Sequence, residues 1–126
     1  MNDDNFLNLF GEDTEIRAMV PGEVLFRTGD KPDALYIIKS GQLQIYDEGV
    51  VFETVGPGGI IGEMALVDGS PRSASAKAVS AAEVIPVDEK RFMWMVEQTP
   101  FFALKVMRVL TQRLRITDNR LRAMIK

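Results

Sequence analysis

Residues 35–59, LYIIKSGQLQIYDEGVVFETVGPGG, alternate short apolar runs with turn-forming residues. The runs are rich in the β-branched and aromatic residues that strands favour, and Gly, Asp and Pro separate them. Asp47-Glu48-Gly49 directly follows one run and is typical of a tight hairpin turn. The stretch therefore predicts consecutive antiparallel strands joined by short turns.

The same pattern extends on both sides of this stretch. Turn signals such as Pro21-Gly22 and Gly29-Asp30 recur at intervals of roughly 8–10 residues. This spacing predicts an antiparallel, jelly-roll-like β-roll over about residues 14–87. Ahead of the roll, the apolar residues between Phe6 and Phe10 predict a short N-terminal helix that stops near Gly11.

The period of the apolar residues becomes helical after Pro86. Asp88 is a good N-cap, and Pro100 both ends the first helical run and suits the first turn of a second. Two C-terminal helices are therefore expected within about residues 88–125. The 126 residues are expected to form a single domain over residues 1–126, mainly β with flanking helices.

The second of these helices has a regular apolar seam with a three- and four-residue repeat. Two interpretations are open: the seam packs on the chain's own β-roll, or its distal half pairs with a second copy in a homodimer. The seam consists of Met107, Leu110, Leu114, Thr117, Leu121 and Met124.

The composition excludes several classes of chemistry. The chain contains neither Cys nor His, which removes disulfides, Ser-His and Cys-His nucleophiles, and nearly all zinc, copper and iron sites. A metal oxygenase on a similar β-roll would need two or three histidines. We therefore expect no enzyme activity, no catalytic residue, no metal and no cofactor.

The charge is unevenly distributed. Residues 1–99 hold 8 Lys/Arg and 17 Asp/Glu, a net charge of −9, and residues 100–126 hold 7 Lys/Arg and one Asp, a net charge of +6. We interpret the basic segment as a solvated helix face. The acidic body disfavours nucleic acid and membranes as partners. Because no apolar run approaches roughly 18 residues and no signal peptide is evident, we expect a soluble, cytoplasmic protein.

Residues 56–76, GPGGIIGEMALVDGSPRSASA, combine features of an anion site. Glycines let the backbone approach a ligand, amides at the start of a short helix can face an anion, and Arg72 supplies a permanent charge. Glu63 would suit a sugar hydroxyl beside a phosphate. The segment therefore describes a nucleotide site, or alternatively a tight loop with a surface arginine.

Two common nucleotide motifs are absent from this segment. No Lys-Ser/Thr pair follows the glycines, as the phosphate-binding loop of nucleoside triphosphatases requires. The dinucleotide fingerprint fails as well, because Ile61 occupies its third glycine position.

Gly62-Glu63-Met64-Ala65-Leu66 and Ser70-Pro71-Arg72-Ser73-Ala74-Ser75 resemble the phosphate-binding cassette of the cyclic nucleotide-binding domain family. The resemblance extends over about residues 14–125. It implies a non-catalytic sensor of cyclic AMP, with cyclic GMP as the alternative. It also implies that the short helix inside the cassette binds phosphate.

The resemblance implies a role for each cassette residue. Glu63 would accept the ribose 2′-hydroxyl beside the backbone of Gly62. The amides of Met64 and Ala65 would meet the cyclic phosphate, and Arg72 would pair with it.

Ser73 and the backbone of Ala74 would complete the phosphate shell. Ile61 belongs to the same site, although the family often has Phe at this position. The base is expected to contact Thr117 and Asp118, where relatives carry two hydroxyl residues. Thr117 is alternatively a tolerated seam residue that bonds its own backbone.

The resemblance also implies an output. Binding would reposition the C-terminal helix over the base, and the signal would pass to an unidentified downstream protein. Direct binding to DNA is not expected, because no helix-turn-helix follows the last helix. A scaffold protein with a vestigial pocket is the remaining alternative.

Overall fold

The computed structural model describes residues 10–11 and 14–125, and it leaves the side chains of residues 65, 116–121 and 125 undescribed. The predicted N-terminal helix lies almost entirely outside these residues and stays a prediction. Among the helices that are described, none is both long and apolar enough to cross a membrane.

Within the described residues, the strands are β1 (Arg17–Met19), β2 (Val24–Phe26), β3 (Leu35–Ser40), β4 (Leu43–Asp47), β5 (Val50–Val55), β6 (Ile60–Ile61), β7 (Ser75–Ala78) and β8 (Ala82–Val87). They form two four-stranded antiparallel sheets, with the orders β1-β8-β3-β6 and β2-β7-β4-β5. The predicted antiparallel β-roll is confirmed.

In the part of the chain that the structure describes, three helices accompany the sheets: α1 (Glu63–Asp68), α2 (Glu89–Gln98) and α3 (Pro100–Ile125). The Asp88 carboxylate accepts a hydrogen bond from the Arg91 amide at 2.8 Å and caps α2, as expected. Pro100 occupies the first position of α3 because a missing amide proton costs nothing there. The helix boundaries expected from Asp88 and Pro100 are therefore confirmed.

The β4–β5 hairpin closes through Glu48 and Gly49, whose φ angles are both positive (48° and 79°). This conformation matches the twist of antiparallel strands in a two-residue turn. Further along, the register shifts so that Ile45 pairs with Glu53. Residues paired in this way share one face of the sheet, which places Glu53 on the same face as Ile45.

Two apolar clusters hold the fold together, and β3 contributes to both. Tyr36 and Ile38 belong to a cluster drawn from both sheets. Leu35 and Ile37, on the opposite face of the strand, pack with Phe102 and other residues of α2 and α3. The proximal half of α3 is thereby fixed to the roll.

The seam of α3 divides between packed and exposed residues. Leu110 packs partly against the helical cluster, whereas Met107, Leu114 and Met124 are 55%, 69% and 81% exposed. Packing on the chain's own roll is therefore wrong for these three residues. Trp94 of α2 is also partly exposed, and the Arg91 guanidinium lies 4.6 Å from its ring centre.

Candidate functional site

The predicted cassette residues gather around a small cavity of about 70 Å³. The cavity lies between the start of α1, the loop before β7, strand β4 and helix α3. Its walls are Phe26, Ile45, Ile61, Gly62, Glu63, Met64, Arg72, Ser73, Ala74 and Arg113.

Seven of the predicted site residues line this cavity, and the positions of the other three side chains are not described. Ala65 lies within α1, and Thr117 and Asp118 lie within α3. The side chains of these three residues are outside the described part of the structure, so their roles stay predictions. Phe26, Ile45 and Arg113 were not predicted.

Gly62 is required by the close approach of Arg72. Its φ angle is +82°, and a Cβ atom at this position would lie 2.5 Å from the Arg72 Nη1 atom. The Gly62 carbonyl accepts a hydrogen bond from Nη1 at 3.1 Å. The glycine therefore shapes the backbone and positions the guanidinium.

The residue Arg72 is almost fully buried (3% exposed). Its Nη2 atom donates to the Ala34 carbonyl at 2.6 Å and to Asp33 Oδ1 at 3.2 Å. The guanidinium stacks on the Phe26 ring at 4.1 Å. Within the described residues, Nε is buried without a hydrogen-bond partner, and such a donor costs about 1–3 kcal/mol. Arg72 thus keeps one unused donor beside the cavity.

Glu63, the first residue of α1, is 1% exposed and pairs with Arg113 of helix α3. Arg113 Nη1 donates to Glu63 Oε1, while Nε donates to Glu53 Oε1 at 3.0 Å. Nη2 donates to the Ile60 carbonyl at 2.9 Å and more weakly to Glu53 Oε2 at 3.4 Å. One arginine therefore links α3 to α1, β5 and β6.

The charge of Arg113 is secured by these partners. Burial alone would lower the pKa of the guanidinium, but Glu63 and Glu53 together raise this pKa above its ordinary value. Arg113 corrects the interpretation of the basic segment as a solvated face, at least for this residue. Since Glu53 and Arg113 are far apart in sequence, only the proximity of Arg113 to Thr117, one turn further along α3, could have indicated its role.

Asp33 and Tyr36 lie next to Arg72 and line a different cavity. The Tyr36 hydroxyl donates to Asp33 Oδ1 at 3.5 Å. Burial, and then the charge of Asp33, raise the pKa of the Tyr36 phenol above its ordinary value. The phenol is therefore held in its neutral form next to the Asp33–Arg72 ion pair.

The cavity of this antiparallel β-roll is lined by a buried arginine, Arg72, and by a buried carboxylate, Glu63, at the start of the short helix α1. The sequence profile of the cyclic nucleotide-binding domain matches residues 16–99, two thirds of the chain. The chain belongs to the cyclic nucleotide-binding domain family. The resemblance inferred from the cassette is thereby confirmed.

Several cyclic nucleotide-binding domain proteins are similar to this chain. The cyclic AMP receptor protein of Thermus thermophilus is 31% identical over 102 residues, 77% of this chain and 47% of that protein. The crystal structure of the catabolite activator protein from the same organism covers 95% of this chain and 59% of its own, with 29% identity and a TM-score of 0.80.

A second similar structure comes from work on a cyclic-GMP-dependent signalling pathway that regulates bacterial phytopathogenesis. It covers 90% of this chain and 94% of its own, with 26% identity and a TM-score of 0.73. The chain spans about half the length of the cyclic AMP receptor protein. Family membership and fold are therefore shared, while the activity of each whole protein belongs to that protein.

Proposed function

We propose that this domain is a non-catalytic, cytoplasmic sensor that binds a 3′,5′-cyclic nucleotide, with cyclic AMP preferred. The observation that carries the proposal is the buried Arg72 guanidinium, whose Nε has no partner among the described residues and which lines the cavity. A phosphate oxygen is a charged acceptor, and a charge-assisted hydrogen bond is roughly twice as strong as a neutral one. The family membership of the chain supports the same ligand class.

The phosphate is proposed to bind at Arg72 and the residues around it. Ser73 and Ala74 line the cavity next to Arg72, and the amides of Met64 and Ala65 follow Glu63 in α1. Asp33 already neutralises part of the charge of Arg72. The main contribution of Arg72 to ligand binding would therefore be a directed, charge-assisted hydrogen bond, with long-range electrostatic attraction contributing less.

The ribose is proposed to bind at Glu63, whose carboxylate would accept the 2′-hydroxyl. This carboxylate is paired with Arg113 in the structure. The nucleotide would therefore share Glu63 with Arg113 or displace Arg113 from it. Either event acts on α3, because Arg113 belongs to that helix.

The size of the cavity supports a movement of α3. Ligand pockets typically enclose roughly 300–1,000 Å³, whereas this cavity holds about 70 Å³ with the Arg113 side chain in its wall. A nucleotide would need Arg113, and with it the adjoining part of α3, to shift outward. We propose that this shift repositions the helix over the base and transmits the signal to a downstream protein.

The base is proposed to contact Thr117 and Asp118 of α3. A carboxylate at residue 118 accepts from the adenine amino group and also from the N1 and N2 donors of guanine. Cyclic GMP is therefore the alternative ligand. A homodimer through the exposed seam of α3 would place two such helices side by side.

A scaffold with a vestigial pocket is the second candidate function. The observation in its favour is the ion pair between Glu63 and Arg113, which satisfies the ribose-binding carboxylate within the protein. Isothermal titration of the purified domain with cyclic AMP and cyclic GMP separates the two functions. A sensor gives saturable heat that Arg72→Ala abolishes, whereas a scaffold gives no heat with either nucleotide.

A further inference from the structure

The charges around the cavity do not balance before a ligand arrives. Among the described residues, the ion pairs of Arg72 and Arg113 involve the carboxylates of Asp33, Glu53 and Glu63, three negative charges against two positive ones. The cyclic phosphodiester of the proposed ligand carries a further negative charge. Like charges at short range in a partly buried site oppose binding. One of these carboxylates therefore acts against the ligand unless it has another role.

Asp33 and Glu53 both lack a proposed ligand contact, and of these two Glu53 is the one that pairs with Arg113. It lies on β5 opposite Ile45, a residue of the cavity wall. Its two oxygens accept from Arg113 Nε at 3.0 Å and Nη2 at 3.4 Å. Glu53 therefore engages one whole edge of the guanidinium, while Nη1 is engaged by Glu63.

We propose that Glu53 is an affinity-determining residue that restrains nucleotide binding by holding Arg113 inside the cavity. This inference rests on the proposed function. Glu53 contributes in two ways. Its negative charge repels the phosphate, and its hydrogen bonds with Arg113 Nε and Nη2 make these donors unavailable to an incoming anion. The contact is autoinhibitory, since the nucleotide must work against it before α3 can shift.

The substitution Glu53→Gln tests this role with little change of shape. It removes the negative charge but keeps an oxygen that Arg113 can bond, so that Glu63 and Arg113 stay paired. Because charge-assisted hydrogen bonds are about twice as strong as neutral ones, the restraint weakens. We expect cyclic AMP to bind about tenfold more tightly, a change of about 1.4 kcal/mol.

A matched control is available on the same hairpin. Glu48→Gln removes the same charge at the turn, away from Arg113. We expect it to leave the affinity for cyclic AMP within about twofold of wild type. The gain in Glu53→Gln should also shrink at high salt, because Glu53 is partly exposed and its charge is screened.

The experiment is isothermal titration of wild type, Glu53→Gln and Glu48→Gln with cyclic AMP and cyclic GMP, together with thermal unfolding of the free proteins. Tighter binding by Glu53→Gln with an unchanged or lower midpoint of unfolding supports the restraint. A merely structural role of Glu53 would lower both the affinity for cyclic AMP and the midpoint of unfolding. Equal or weaker binding by Glu53→Gln, or an equal gain in Glu48→Gln, overturns the inference and leaves the proposed function intact. Absence of binding in all three proteins overturns both.

Discussion

Asp33 forms an ion pair with Arg72, with Oδ1 of the carboxylate 3.2 Å from Nη2 of the guanidinium. The Asp33 side chain is 75% exposed, whereas that of Arg72 is 2% exposed. The ion pair thus joins a solvent-exposed carboxylate to the buried guanidinium of the proposed phosphate site. It fixes the Nη2 end of the guanidinium, whereas Nε is buried without a hydrogen-bond partner among the residues described.

Asp33→Asn should change stability little. Water already screens the exposed carboxylate, and Arg72 retains its 2.6 Å bond to the Ala34 carbonyl. We expect the free energy of unfolding to fall by less than about 1 kcal/mol. Urea denaturation of wild type and variant measures the difference, and a loss of several kcal/mol would show that the ion pair is a main support of the fold.

Arg72→Ala should abolish tight nucleotide binding. The substitution removes the charge-assisted bond to the phosphate, and we expect a loss on the order of 2–4 kcal/mol in binding free energy. Titration with cyclic AMP measures this loss. Circular dichroism provides the control, because a variant that keeps the β-roll and still binds with unchanged affinity contradicts the role given to Arg72.

Gly62→Ala should impair the site more than Gly69→Ala, a matched control with a similar backbone conformation. The φ angles are +82° and +72°, but only at Gly62 would the new methyl group crowd Arg72; at Gly69 nothing lies within 4 Å. Both variants should lose about 1 kcal/mol or more of stability from the strained backbone. Only Gly62→Ala should also weaken nucleotide binding, and equal affinities in the two variants would argue against the proposed geometry.

Stability should decline at high pH because of Tyr36. The raised pKa of its buried phenol means that the unfolded chain loses this proton first. The stabilising contribution is fully present below about pH 10 and is lost as the pH rises through the folded-state pKa. Thermal unfolding between pH 8 and pH 11 should therefore show a decline that is smaller in Tyr36→Phe. The same substitution at Tyr46 serves as the control and should leave the decline in place.

Leu114→Asp should dissociate the proposed homodimer without unfolding the domain. Leu114 is 69% exposed, so a charge at this position is tolerated in a monomer but not within an apolar seam. Gln112→Asp introduces the same charge on an exposed position of α3 outside the seam. Sedimentation velocity should show a monomer for Leu114→Asp and a dimer for the control. A monomeric wild type would refute the dimer.

Whether a feature of this structure can be predicted from the sequence depends on how far apart along the chain the interacting residues are. The hairpin turn at Glu48-Gly49, the cap at Asp88 and the helix start at Pro100 depend on neighbouring residues, and all three were predicted correctly. The cassette residues around Gly62 and Arg72 were also predicted to lie together, because a short segment of chain contains them.

The ion pairs around the site could not be predicted in the same way. Glu53 and Arg113 meet only after β5 and α3 have packed, and nothing local to either residue indicates the other. The same holds for Asp33, which reaches Arg72 from a different loop. That Arg72 Nε is left without a partner among the described residues is likewise a property of the packed interior, which no spacing of residues along the chain conveys.

The pairing of β1 with β8 has a consequence for folding. Among the described strands, β1, the first strand of the roll, forms hydrogen bonds only with β8, the last strand. Contacts between segments so distant along the chain slow folding, because the intervening loop must close first. During synthesis on the ribosome, β1 therefore cannot form these hydrogen bonds until β8 has emerged.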